Sequence, residues 1–185
     1  MLAFSLFQAF WFFLPAYVAN PTAVLFGGGT PIDFGRVLND GNRLFGNGKT
    51  WRGLCGGVMC GAVLGLTLWG LAWLFYSDLS YGGFPEGLVP VVILPLGALL
   101  GDLVGSFIKR RMGKEKGAPV LVLDQYDFFF GAILLLALFQ TGWLVQHYLA
   151  GEYIYGLIFI LILTPFLHRA VNIIGFRMGK KEVPW

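Results

Sequence analysis

The placement of cations among apolar runs limits this chain more than any other feature. Leu2 to Ala19, Leu54 to Tyr76, Leu88 to Ile108, Phe128 to Leu149 and a run from Tyr153 to about Leu167, extendable through Ala170 to Phe176, are apolar stretches. Their lengths bracket the roughly 20 residues that cross a bilayer as helix. Arg36, Arg43, Lys49 and Arg52 precede the second run. Lys109, Arg110, Arg111, Lys114 and Lys116 separate the third from the fourth, and Arg169, Arg177, Lys180 and Lys181 close the chain. Five spans therefore put all thirteen basic residues on one side. The positive-inside rule then predicts an N-terminus outside, a cytoplasmic C-terminus and two long cytoplasmic loops, about 20–53 and 109–127. The predicted class is an all-α polytopic protein with about five transmembrane helices, multi-pass in the cell membrane.

Composition agrees with one membrane domain over 1–185 and with no separable soluble part. Only 12% of residues are charged, against roughly 25% in soluble domains. The cations sit in short blocks beside apolar runs, which favours anionic lipid head groups and nucleotide phosphates over nucleic acid as partners. The first run lacks a basic leader and is read as a retained span, with Pro15 a candidate kink. Cys55 and Cys60, five apart with no second pair, are expected as small core residues, neither metal ligands nor a disulfide. Gly53, Gly57, Gly61 and Gly65 make one stripe and Gly97, Gly101 and Gly105 a second. Small residues at that spacing allow close helix contact. The two stripes suit packing on each other, a homodimer, or room for a ligand.

Chemistry concentrates in Gly101 to Asp127, GDLVGSFIKRRMGKEKGAPVLVLDQYD. Asp102, Ser106 and Lys109 or Arg110 recur at helical spacing and form one polar stripe. Asp102 stands about two turns before the basic block, near the boundary and not at mid-membrane. Asp124 and Asp127 share a face if the fourth helix begins early. Carboxylates for a divalent cation, cations for phosphate and glycines for close approach suit an anionic, metal-dependent site at a membrane surface. GNGKTWRG lacks the first glycine of a Walker loop, since Arg43 occupies that position, and no strand precedes it. Lys49 and Arg52 after a glycine-rich turn are still suited to phosphate if the second span starts there. Asp33 with Arg36, and Asp40 with Arg43, are expected to pair within a small lobe. His168 is expected as a hydrogen-bonded boundary residue.

Gly101, Asp102, Ser106, Lys109, Arg110, Lys114, Asp124 and Asp127 resemble the signature of the CTP-dependent phosphatidate cytidylyltransferases. The resemblance to their archaeal relatives, the CDP-archaeol synthases, covers nearly the whole chain: PAYVANPTAVLFGGGTPIDFG, LFGNGKTWRG, GDLVGSFIKRR and DQYDF all match. A histidine of the bacterial-type signature has no counterpart, its place being held by Gly117, Ala118, Pro119 and Val120 to Leu123. The resemblance implies transfer of a cytidylyl group from CTP to an isoprenoid ether-lipid phosphate, 2,3-bis-O-geranylgeranyl-glycerol 1-phosphate, with release of pyrophosphate and a requirement for Mg2+.

Under that resemblance Asp102, Lys109, Asp124 and Asp127 are the expected catalytic residues. Asp124, Asp127 and Asp102 are the expected metal ligands. Lys49, Thr50, Arg52, Ser106, Lys109, Arg110 and Lys114 are expected to bind the phosphates, and the lipid tails a groove beside the glycine-lined spans. No side-chain nucleophile is required, because a lipid phosphate is itself an anion able to attack phosphorus. Another metal-dependent transferase acting on polyprenyl phosphate would share these groups, whereas a transporter would need mid-span polar residues or an inverted repeat, and neither is seen.

Overall fold

A computed structural model describes residues 2–115 and 118–179; Lys116, Gly117 and the basic tail 180–185 lie outside it. Helices α1 (Leu2–Leu25), α2 (Trp51–Phe75), α3 (Leu88–Arg111), α4 (Leu121–Phe139), a short α5 (Thr141–Leu144) and α6 (Tyr153–Arg177) account for most of these residues. Five of them, all but α5, are long and apolar enough to cross a membrane. The protein is thus an all-α, multi-span membrane protein.

Helix α1 packs on α2, α3 and α6, and α3 lies against α4. Phe12, Phe13, Ala16, Leu94, Ala98, Ala132 and Ile160 are fully buried at the centre of this arrangement. The glycine stripes give close contact, but with partners other than each other. A Cβ at Gly57 or Gly61 would strike the Ala19 or Pro15 carbonyl of α1, while Gly97 and Gly101 face Ala132, Gly131 and the Asp127 carbonyl of α4. The α2 stripe thus meets α1 backbone and α3 side chains, and the α3 stripe meets α4, which the spacing alone does not specify.

Helices α2 and α3 each extend three residues beyond expectation, to Trp51 and Arg111, and three other boundaries differ more. Helix α1 continues six residues past Ala19. The Thr22 hydroxyl donates to the Val18 and Ala19 carbonyls and steadies the turn around Pro21, a proline that would otherwise favour a break. The fourth helix starts at Leu121, seven residues early, where Asp124 Oδ2 accepts the Val120 N–H at 2.9 Å. That shortens the second connection. The same helix stops at Gln140, whose φ of −143° and ψ of 46° interrupt it. The residues to Leu149 then fold as α5 and one π-helical turn and bury Trp143, Leu144 and Tyr148. The cysteines are unbridged as expected, yet Cys55 is exposed and Cys60 only partly covered. They occupy an outer flank of α2, whose buried stripe is taken by glycine.

Pro15 leaves the Trp11 carbonyl without its helical donor. The Tyr81 hydroxyl supplies a substitute, donating to the Trp11 and Phe12 carbonyls at 3.3 Å each.

Candidate active site

The connection between α1 and α2 is a folded lobe built on one carboxylate. Asp33 is 2% exposed and accepts the backbone N–H groups of Gly35, Phe45 and Gly46 together with the Arg43 guanidinium. Burial pushes this carboxyl up, but the Arg43 and backbone hydrogen bonds reverse that effect and hold it well below the usual carboxylate range. The pairing expected from sequence is thereby corrected: Asp33 binds Arg43 and Asp40 binds Arg111 at 2.6 Å. The cause is a chain reversal, since Val37 and Arg43 are bridged antiparallel and Arg43 returns beside Asp33. Hydrogen bonds from the Asn42 backbone and side chain, then from Arg111, lower the Asp40 carboxyl in turn.

The lobe delivers Lys49 to the start of α2. Its carbonyl accepts from Ile32 N–H at 2.8 Å, and Trp51 N–H donates to Thr30 at 3.2 Å. Thr50 then caps α2, its hydroxyl accepting Gly53 N–H at 3.1 Å. The hydroxyl already has this structural duty. Beyond it, the Lys49 ammonium forms an ion pair with Asp102 of α3.

Helix α3 and the turn after it carry the remaining cations of the cleft. Ser106, one turn after Asp102, is 5% exposed. Lys109 pairs with Asp124 Oδ1 at 2.7 Å. Arg110 donates to the Lys114 carbonyl and lies against Gly46, where a Cβ would come within 3.3 Å of Nε. Asp127 sits on the α3 glycines: a Cβ at Gly105 would strike its carboxylate, and one at Gly101 its carbonyl. Asp102 and Lys49 both act on it electrostatically.

These elements enclose a cleft of about 720 Å³ lined by Lys49, Thr50, Asp102, Ser106, Lys109, Arg110 and Lys114. Seven residues expected at the site thus face one space. Three expected residues lie outside the cleft wall: Asp124, paired to Lys109, Asp127, packed against Gly101 and Gly105, and the exposed Arg52. Asn20, Asn42, Arg43 and Gly46 also line it. Sequence reasoning missed Asn20 by ending the first helix at Ala19, although a helix continued to Val24 puts both residues on one face.

A second cavity of about 390 Å³ adjoins the first. Its wall is mostly apolar and comes from α1 and α6, including Phe10, Leu14, Val18, Leu167, Val171 and Ile174, with His168 facing it. His168 lies 3.4 Å from Asn172 and its ring is stacked on Phe128. The apolar groove runs along α1 and α6, while the glycine stripes are filled by α1 and α4 backbone and by side chains such as Pro95, Val91 and Asp127. The two cavities share Asn20, Val24, Lys49 and Asp102.

The donor set has the right chemistry for a hard divalent cation. Asp102 and Asp127 offer carboxylate oxygens within electrostatic reach of each other, and the Lys49 ammonium stands against Asp102 as a cation in place. Among the described residues, no three His, Cys, Asp or Glu side chains gather into a ready cluster.

A family model described as CarS-like, CDP-archaeol synthase, matches residues 1–185. A CDP-archaeol synthase of Methanoculleus marisnigri is 47% identical over 173 residues, covering 93% of this chain and 99% of that protein. One from Thermococcus kodakarensis is 45% identical over 181 residues, covering 98% and 97%. A solved structure described as "Structural insight into an intramembrane enzyme for archaeal membrane lipids biosynthesis" superimposes with a TM-score of 0.67 at 36% identity, covering 91% of this chain and 94% of that one.

Proposed function

The chain belongs to the CDP-archaeol synthase family, and from that premise we propose that the paired cavities are the two halves of its active site, the polar cleft for CTP and the apolar groove for the lipid tails. The protein is a CTP-dependent nucleotidyltransferase that moves a cytidylyl group to an archaeal ether-lipid phosphate. The observation that carries the two-cavity reading is the seam: a charged cleft and a greasy groove meet at Lys49 and Asp102. A substrate with a phosphate head and isoprenoid tails needs such a junction.

In this reading a lipid-phosphate oxygen forms a bond to the α-phosphorus of CTP as the bond from that phosphorus to the bridging oxygen of pyrophosphate breaks. The electron pair leaves with pyrophosphate, and no covalent enzyme intermediate is needed. The chain's own task is positioning and charge neutralisation. Lys109 and Arg110 hold triphosphate oxygens, Arg110 in a fork and Lys109 as a point charge. Lys114 contributes charge at the cleft mouth, and Ser106 donates a hydrogen bond. Lys49 exchanges its Asp102 partner for a phosphate. Thr50 acts through the cap that fixes Lys49, and exposed Arg52 acts on the lipid surface.

Asp102 and Asp127, with Asp124 as the third carboxylate, would hold magnesium. Bound there, the ion supplies neutralisation of charge on the α-phosphate and the departing pyrophosphate. The described cations lie in the lobe, on the C-terminal parts of α3 and α6, at Lys114 just after α3, or at the start of α2. That distribution supports a cytoplasmic face for this end, with the N-terminus outside.

The test is formation of a cytidine-diphosphate lipid by purified protein given magnesium, the geranylgeranyl ether-lipid phosphate and each nucleoside triphosphate in turn. CTP-selective product is expected. Equal use of every nucleotide, or product only from a nucleotide sugar and a polyprenyl phosphate, would overturn the reading.

A further inference from the structure

At the seam between the two cavities, four side chains face both: Asn20, Val24, Lys49 and Asp102. Lys49 and Asp102 are paired with each other, and Val24 has no polar atom. Asn20 is different. Its Oδ1 is shielded from solvent and has no hydrogen-bond partner among the described residues. A polar atom in that condition is costly to keep, which makes it a candidate for a contact completed by a ligand. A half-turn of the amide exchanges Oδ1 and Nδ2 without altering shape, so the same position can offer an acceptor or a donor.

The substrates decide which end is used. With tails in the apolar groove and triphosphate in the cleft, the group that must cross the seam is the lipid phosphate. An ether lipid with both remaining glycerol oxygens alkylated has no hydroxyl to donate. Its polar end is a phosphate, which takes donors. We propose that Asn20 is a positioning contact for the acceptor substrate, its Nδ2 donating to a non-attacking oxygen of the lipid phosphate at the seam. This rests on the two-cavity reading above. A neutral amide suits the place, because it orients the phosphate while withdrawing less charge from the attacking oxygen than another cation would. The adjoining helix supports the geometry: Asn20 lies in the last turns of α1, ahead of the Thr22 hydroxyl bonds that hold the turn around Pro21.

The deciding experiment measures kcat and KM separately for CTP and for the lipid phosphate in the wild type, Asn20→Ala and Asn20→Asp, each checked for monodispersity and melting temperature. Loss of a hydrogen bond to a charged group predicts a lipid KM raised about 10-fold or more in Asn20→Ala, with the CTP KM within about twofold. Asn20→Asp keeps the shape but replaces donor by anion, and should raise the lipid KM further, to about 100-fold. A lipid KM unchanged within twofold in Asn20→Ala would overturn the assignment. So would a rise confined to CTP, or an Asp variant that works as well as wild type; both belong to an acceptor that reads ribose or cytosine. Absence of lipid- and CTP-dependent turnover in the wild type would instead sink the two-cavity reading, so the two failures are distinguishable.

Discussion

The two ends of the helix bundle hold polar groups in opposite ways. At the end that carries Ser77–Gly87 and α5, side chains that are buried or, for Trp11, partly buried donate to backbone carbonyls. Gln8 donates to Asp78, Trp11 to Leu79, Trp143 to Tyr81 and Tyr148 to Ala9. Trp143 stacks on Tyr81, and Phe12 meets both rings edge-on. At the other end the partners are charged side chains, Lys49 with Asp102 and Lys109 with Asp124, each about a quarter exposed or less and lining or bordering an open cleft. Neutral donors fixed to carbonyls have no second partner to exchange for. Ion pairs beside a cleft do, because an incoming phosphate or cation can replace either member. The difference separates a plug that holds the bundle together from a site that is held ready.

The contrast can be broken most severely where α3 and α4 touch beneath the site. Gly101→Ala puts a Cβ into the Asp127 carbonyl, which is backbone and cannot rotate away. The expected cost is about 1–3 kcal/mol or more, together with a fall in turnover of about 100-fold from displacement of Asp127. Thermal unfolding and initial rates on one preparation check both. At the plug, Tyr81→Phe strips the donor from the carbonyl that Pro15 leaves free. About 1 kcal/mol or more of stability should go, lowering Tm by about 2–4 °C per kcal/mol, with turnover per folded molecule unchanged.

The lobe lies between these extremes. Asp33→Asn removes the Arg43 pair and weakens three backbone bonds. The KM for CTP should rise about 10-fold, and the lobe should lose about 1–3 kcal/mol of local stability, read by hydrogen exchange. Its pH dependence has a definite sign: the folded carboxyl lies below its unfolded value, so the unfolded chain binds the proton first and stability rises with pH. That contribution is complete above the unfolded value of about 4 and is lost only as pH falls toward the folded one. Hydrogen exchange in residues 31–47 should therefore be flat from pH 7 to 5 after correction for intrinsic rates and increase only under stronger acid. Smallest of all is Asp40→Asn. Its pair with Arg111 is exposed and screened by salt, so KM should stay within about twofold of wild type.

Much of this was legible because charge beside a membrane is expensive and therefore informative. The polar stripe Asp102, Ser106 and Lys109 emerged from helical spacing, and the structure brings it to one cleft with Lys49 and Lys114. Tertiary bonding hid the rest. Phe128 to Leu149 is apolar enough to read as one span, yet the Trp143 and Tyr148 bonds to distant carbonyls turn its second half into a plug. The Asp33–Arg43 pair required a chain reversal that near-neighbour spacing does not reveal. Asn20 was obscured by Pro21, because a side-chain hydroxyl at Thr22 holds together a turn that proline propensity would end.

The most direct measurement of the central distinction is turnover and Tm recorded together for Asp102→Asn. The side chain keeps its shape and loses only the charge that faces Lys49 at the seam. A site held ready predicts magnesium- and lipid-dependent turnover down about 1000-fold with Tm within about 4 °C of wild type. Unchanged turnover, or a collapse of Tm with full activity in the molecules that remain folded, would contradict it and make the inner ion pairs structural like the plug.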